Sequence, residues 1–290
     1  MRLARTVAEL QTALDELRAD GQRIGLVPTM GAFHDGHLAM MRAARQAGDA
    51  AVVSLFVNPA QFGPNEDLAR YPRDEERDAE LAIGADVSVL FAPSVEEMYP
   101  TGFDTHVDPG ALASVLEGAV RPGHFRGVAT VCTRLFGLVR PERAYFGRKD
   151  AQQVAVIRQV VRDLALPLEI VAVPTVRDAD GLALSSRNAY LSESERGAAL
   201  ALPRSLEAGL HVHRSGGTPD QVVAATRQVL EAESRLGVDY VAIADLDGPT
   251  LAAAVRVGGT RLIDNVLLVD AEGDSGTDPA PLPRAGTMRP

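Results

Sequence analysis

A single cysteine, Cys132, stands among 290 residues, so the chain can build no internal disulfide, no cysteine-based zinc site and no CxxC redox pair. A reducing compartment fits that scarcity. A basic excess is also missing. With 29 Lys and Arg against 39 Asp and Glu, the formal net charge is −10, the reverse of what a protein that wraps nucleic acid or lies on an anionic membrane requires. No apolar run approaches the ~18 residues of a membrane span. The opening MRLARTVAEL begins a charged amphipathic segment and has neither the apolar core nor the cleavage site of a signal peptide. The expectation is a cytoplasmic protein with no nucleic-acid or membrane partner. Internal repeats are absent too. Lysine is the scarcest charged residue, with one copy, Lys149, beside 28 arginines. Arginine replaces lysine freely as a solvated charge, except where a compact ammonium does what a planar guanidinium cannot. The surviving lysine is therefore a candidate for chemistry.

What remains is the composition of an ordinary globule, 46% hydrophobic and 23% charged. Thr6 to Glu9 reads as a capping box, and Val7, Leu10, Leu14 and Leu17 follow at helical spacing, a helix that should cover something apolar. IGLV at 24–27 is a short strand, PTMGAFHDG a loop, and Leu38, Met41 and Ala44 mark the helix after it. AVVSLFV at 51–57, VSVLF at 87–91, RAYFG at 143–147 and LEIVAV at 168–173 are further apolar runs. Helical patterns lie between them, at about 73–83, 127–139 and 150–164. Continuous apolar strands alternating with helices are those of a parallel sheet covered on both faces, the doubly wound α/β class. From 177 the texture changes to helical patterns at 193–213, with a bend expected at Pro203, and at 219–235. Strands at 238–245 and 260–269 flank a turn around Gly258 and Gly259. The predicted layout is a nucleotide-sized α/β domain over 1–176, a smaller α+β domain over 177–270 and a disordered tail over 271–290.

PTMGAFHDGH at 28–37 sits where the first inner strand gives way to a helix. Open parallel sheets bind ligands at the carboxyl ends of their strands, and helix N-termini attract phosphate oxygens. His34 and His37, three apart, share one side of a helical turn. Gly31 and Gly36 leave out side chains where a phosphate would come close. Three roles stand open for the histidines: loop capping, metal ligation without a recognisable third ligand, or donation to nucleotide phosphates. Lys149, in YFGRKDAQQ, also follows a strand at the start of a helix, where a cation opposes the macrodipole unless it serves a ligand. Asp150 can cap that helix, and Gln153 lies one turn on. Leu184-Ser185-Ser186-Arg187-Asn188 offers two hydroxyls and a guanidinium, either as a phosphate clamp or as a capped turn. Gln61 in NPAQF follows the second inner strand, and His124 and Arg126 precede a helix. The acidic run 75–82 reads as a solvated face.

Taken in order, PTMGAFHDGH, FVNPAQFGPNEDLARYPR, RPGHFRGVATV, YFGRKDAQQ, LSSRNAYLS and RLIDN resemble the pantoate–β-alanine ligase family. HDGH is that family's form of the HxGH signature of nucleotidyltransferases. The resemblance implies a Rossmann-like fold and a homodimer. It further implies ATP-driven condensation of (R)-pantoate with β-alanine through pantoyl adenylate, with magnesium carried on ATP and no protein-built metal site. By motif, Met30, Gly31, Ala32, Phe33, His34, Asp35, Gly36 and His37 would hold ATP, with His37 as proton donor. Gly147, Arg148, Lys149, Asp150, Val176, Leu184, Ser185, Ser186 and Arg187 would complete the ATP site. His34, His37, Lys149 and Arg187 are the expected catalytic set. Gln61 would touch both pantoate and β-alanine, and Gln153 pantoate. Two residues depart from the family pattern, Arg148 before the lysine and Arg126 after HF, both expected to add positive charge near the phosphates. A dinucleotide-forming adenylyltransferase and an inactive nucleotide-binding module are the competing readings.

Overall fold

The apolar runs fold as the inner strands of a parallel sheet in the computed structural model, which describes residues 1–64 and 66–269. Six strands, β1 (Arg2–Ala4), β2 (Arg23–Thr29), β3 (Asp49–Leu55), β4 (Val89–Phe91), β5 (Arg143–Gly147) and β6 (Glu169–Val173), lie in the order β1-β4-β3-β2-β5-β6. Every pairing is parallel. The helices of this half are α1 (Val7–Ala19), α2 (Asp35–Gln46), α3 (Glu75–Gly84), the single turns α4 (Val95–Met98) and α5 (Glu117–Val120), α6 (His124–Val139) and α7 (Ala151–Asp163). Leu10 and Leu14 of α1 join Val128, Leu135 and Phe136 of α6 and Val154 and Ile157 of α7 in one core. Leu38, Met41 and Ala44 of α2 and Ala82 of α3 build a second. A sheet covered on both faces is the doubly wound class the runs imply, and α1, opened by the Thr6–Glu9 capping box, is one of its covers.

Strand order fixes where a ligand can bind. From β2 the chain winds one way through β3 to β4, and from β5 it winds the other way to β6, so β2 and β5 are neighbours at the reversal. At such a switch point the loops leaving the two carboxyl ends diverge to opposite faces and leave a crevice. PTMGAFHDGH leaves β2 there, and the Lys149 turn leaves β5.

The rest is α8 (Glu193–Ala199), α9 (Ala201–Arg214) and α10 (Pro219–Glu231) packed on an antiparallel sheet of β7 (Leu236–Asp245), β8 (Pro249–Val257) and β9 (Thr260–Leu267). Two strands escape the sequence pattern. β1 is three residues at the sheet's edge, too short for any periodicity. β8 is the central strand of the small sheet but is rich in alanine, a poor strand former, and its tertiary setting overrides that propensity. The helical break comes at Leu200 and not at Pro203. Pro203 lies in the first turn of α9, where a missing N–H costs nothing. The tail expected to be disordered lies outside the described residues.

Candidate active site

The loop after β2 is shaped by its backbone before any side chain acts. Gly31 and Ala32 take positive φ, +85° and +52°, and the turn they make aims the N–H groups of Ala32 and Phe33 at Asp78 of α3, both 2.7 Å from its carboxylate oxygens. Phe33 fills the core beneath. His34 then caps α2 in extended conformation, its Nδ1 accepting from the N–H of Gly36 at 3.1 Å, while Nδ1 of His37 accepts from the N–H of His34 at 3.3 Å. An imidazole whose Nδ1 accepts carries its proton, when neutral, on Nε2. Neutral they are. Burial pushes His34 down to about 4, with Lys149 adding to the effect, and His37 down to about 3, with His34 and then Lys149 adding. The rings, 4.1 Å apart between centroids, therefore present two N–H donors without charge. Capping and donation are one arrangement, because the cap fixes the tautomer that donates. The absent side chain at Gly36 makes room for the His34 ring as well as opening onto the cleft. A Cβ there would meet Cε1 of His34 at 2.9 Å.

Asp78 is the exception in the solvated face read at 75–82, where Glu75, Glu76 and Glu80 are exposed. Its side chain is 1% exposed, one turn into an otherwise acidic helix, and only the tertiary contact with the loop reveals it. Asp78→Ala leaves two N–H groups without their acceptor, an expected loss of about 1–3 kcal/mol in urea unfolding. A wild-type midpoint would show that the loop holds its shape unaided.

Lys149 follows β5 in a single turn, residues 148–150, and its Nζ lies 3.5 Å from Asp150. Asp150 occupies the cap position of α7, yet its side chain makes no capping bond, so the expected capping role is not the one it plays. Lys149, Asp150 and Gln153 line the same cleft as Met30, His34, Gly36, His37, Gln61 and Gly147. Val176, Leu184, Ser185, Ser186 and Arg187 close it from the start of the second half, their approach set by the bond from the N–H of Leu184 to the carbonyl of Val176, 3.0 Å. Ser185 caps its own short turn by accepting from the N–H of Arg187 at 3.3 Å. Arg187 makes a two-pronged pair with Asp67, 3.1 Å at each contact.

Other predicted residues fall elsewhere. Gly31, Ala32, Phe33 and Asp35 shape the loop without lining the cleft. Arg148 turns away from it to Asp247, with contacts of 3.1 and 3.0 Å to the carboxylate and the carbonyl, and Arg126 is exposed. The added positive charge expected from these two departures is neutralised in one case and directed to solvent in the other.

Four polar residues around Gln61 are the part that sequence reasoning undervalued. Asn58 Nδ2 donates to Gln61 Oε1 at 3.0 Å and takes the Tyr99 hydroxyl at 2.8 Å on its own Oδ1. That orientation turns Gln61 Nε2 toward Met30, 3.0 Å from Sδ. His124 holds the Gln61 backbone, with Nδ1 2.9 Å from its carbonyl and Nε2 3.0 Å from Arg121. Since arginine only donates, Nε2 must accept and Nδ1 carries the proton, the opposite tautomer to His34 and His37. Asn58 stands in the quoted NPAQF, where its distance of three from Gln61 was the available signal. Below, Phe56, Phe146 and the α6 residues Val128, Val131 and Leu135 form an apolar floor. A floor of hydrocarbon, a rim of N–H donors and one loosely paired ammonium suit a small, branched, anionic substrate beside a polyphosphate.

Comparison with known proteins gives the same answer by an independent route. The family model for pantoate-beta-alanine ligase matches residues 2–267. The pantothenate synthetase of Moorella thermoacetica is 53% identical over 282 residues, 92% of this chain and 99% of its own length. The crystal structure of pantothenate synthetase from Thermus thermophilus is similar with a TM-score of 0.87 at 50% identity, over 92% of this chain and 99% of that one. Pantoate-beta-alanine ligase from Francisella tularensis, crystallised with beta-gamma ATP and beta-alanine, has a TM-score of 0.80 at 33% identity over 92% and 98%. A match that runs through both sheets and takes in every element of the cleft leaves one conclusion, that this chain belongs to the pantoate-beta-alanine ligase family.

Proposed function

We propose that this chain condenses (R)-pantoate with β-alanine, driven by ATP, through a pantoyl adenylate. A pantoate carboxylate oxygen attacks the α-phosphorus of ATP, and the bond to the bridging oxygen of pyrophosphate breaks with its electron pair. The β-alanine amine then attacks the acyl carbon, the C–O bond to AMP breaks, and the ammonium so formed loses a proton to give the amide of pantothenate. Bringing two anions together is the difficulty of the first step. His34 and His37 donate from Nε2 to the phosphates, Lys149 offsets the charge developing on the pentavalent phosphorus, and Arg187 exchanges Asp67 for a phosphate oxygen. Gln61 and Gln153 orient pantoate over the apolar floor, which takes its gem-dimethyl carbon. Gln61 also meets the incoming β-alanine. His37, uncharged here, assists as a hydrogen-bond donor, a milder role than outright proton transfer.

Asp150 is the one carboxylate among the described lining residues, and these contain no cluster of three metal-ligating side chains. Magnesium would arrive on the ATP phosphates and supply charge neutralisation there. The reading treats 1–176 and 177–270 as separate domains, the second closing over the cleft to keep water from the adenylate. It carries with it the family's homodimer and a cytoplasmic location. No helix among the described residues is long and apolar enough to cross a membrane. The observation that carries the proposal is the convergence of His34, His37, Lys149 and Arg187 on one cleft at the switch point. Purified protein with pantoate and magnesium should exchange labelled pyrophosphate into ATP without β-alanine. Exchange that needs β-alanine, or a stable dinucleotide product in its place, would overturn it.

A further inference from the structure

RLIDN at 261–265 is the one quoted motif that the chemistry above leaves idle. It forms the middle of β9, and its polar side chains reach back to the first half of the chain or, for Asp264, to the segment that leaves it. Arg261 meets both oxygens of Glu117, at 2.6 and 2.7 Å. Asp264, 2% exposed, takes both prongs of Arg177 at 2.6 and 3.0 Å, just where the chain leaves the parallel sheet. Asn265, 7% exposed, donates from Nδ2 to two successive carbonyls, that of Arg148 at 3.0 Å and that of Lys149 at 2.8 Å. An amide nitrogen has two hydrogens, and both go to this one turn.

The turn's other tie is the Arg148 side chain, which grips Asp247 and leaves the Lys149 carbonyl to Asn265. Neither Gly147 ahead of it nor Asp150 behind it supplies a side-chain cap, and its two carbonyls precede the helical ladder of α7. Asn265, by contrast, is fixed, paired with Ala252 across the sheet, with its own N–H on Asp264 Oδ1 at 2.8 Å. We propose that Asn265 is a positioning residue for the adenylation step: it clamps the backbone of Lys149 so that the ammonium meets the reacting phosphate, and it makes that placement depend on the seating of the small sheet. This rests on the proposed function, since Lys149 must act on ATP for its placement to matter. A displacement of about an ångström at a catalytic group is enough to cost a large rate factor. The clamp acts on chemistry and not on binding, so its removal belongs in kcat.

A double-mutant cycle on the full chain tests this in the pantoate-dependent exchange assay. Asn265→Ala is expected to lower kcat about tenfold with KM for ATP and pantoate changed less than about twofold, and to cause no further loss in a Lys149→Ala background. Asn265→Asp keeps the shape but sets a carboxylate against two carbonyls, and should lose at least as much. It serves in place of the alanine variant if that one does not fold. Loss that adds to that of Lys149→Ala, a raised KM with kcat intact, or undiminished activity each overturns the clamp. Absence of exchange in the unaltered enzyme overturns the adenylation reading itself, and the clamp with it.

Discussion

Lys149→Ala is expected to cut turnover and pyrophosphate exchange by about 10²–10³, the usual consequence of deleting a donor aimed at developing charge. Lys149→Arg, which keeps the charge, should still lose at least tenfold, about 1.4 kcal/mol of barrier. The arginine result is the more informative. The lining guanidiniums are already engaged, Arg187 by Asp67 and Arg121 by Glu66 at 2.6 Å, whereas the Lys149 ammonium has, among the described residues, the 3.5 Å contact with Asp150 alone. A guanidinium placed at 149 finds the same carboxylate, and its planar fork favours a two-pronged pair with Asp150 over a single phosphate oxygen. It would be drawn toward the wrong partner. In a chain with 28 arginines and one lysine, near-normal turnover of the arginine variant would mean that position 149 needs a positive charge and nothing more. Steady-state kinetics with both substrates, beside exchange without β-alanine, separates the two steps.

Lys149 stood out because the sequence is so poor in its residue type, and the structure sets it in the cleft. Its support did not, since Asn265 lies 116 positions away and only strand pairing brings it close. The same division runs through the rest of the molecule. The inner strands of the parallel sheet announce themselves as unbroken apolar runs, because helices cover both faces and no position has to be polar. The alanine-rich β8 does not, and without it the small sheet reads as a hairpin. His34 and His37 were legible as a pair, and their spacing of three is what lets each Nδ1 take an N–H of the same helical start. Their protonation state was not, for it comes from burial in the folded chain and from the field of Lys149. Asp78 was misread because a helix of mostly solvated acids hides the one acid that turns inward. Arg148 was misread because Asp247, its partner, belongs to a turn between β7 and β8 that no local pattern connects to the Lys149 turn.

The imidazoles that suit the site to phosphate should also make the protein acid-labile, and the pH window identifies them. Burial first, then nearby positive charge, holds His34 and His124 near 4 and His37 near 3 in the folded chain, against 6.5 when unfolded. The folded values lie below the unfolded ones, so between about pH 6.5 and 4 the unfolded chain binds protons that the folded chain refuses, and stability falls as pH falls. Above 6.5 the contribution is complete. At about 1.4 kcal/mol per pH unit per proton, acidification from 6.5 to 5 costs about 2 kcal/mol for each imidazole, and about 4–6 kcal/mol for the three together. A domain with a total stability of about 5–15 kcal/mol should feel that sharply. The arginine-paired carboxylates do not confuse the window, and Asp78, which burial raises, works the opposite way, taking up its proton first in the folded chain. Burial pushes Glu66 and Asp67 up, but Arg121 and Arg187 pull them further down, so their contribution is lost only below about pH 4. Urea unfolding at pH 7, 6 and 5 reads the effect directly, and His37→Asn, which removes one titrating ring, should flatten the slope by about a third. A midpoint unchanged from pH 7 to 5 would mean that these rings take up protons in the folded chain. They would then meet the phosphates as cations and not as neutral N–H donors.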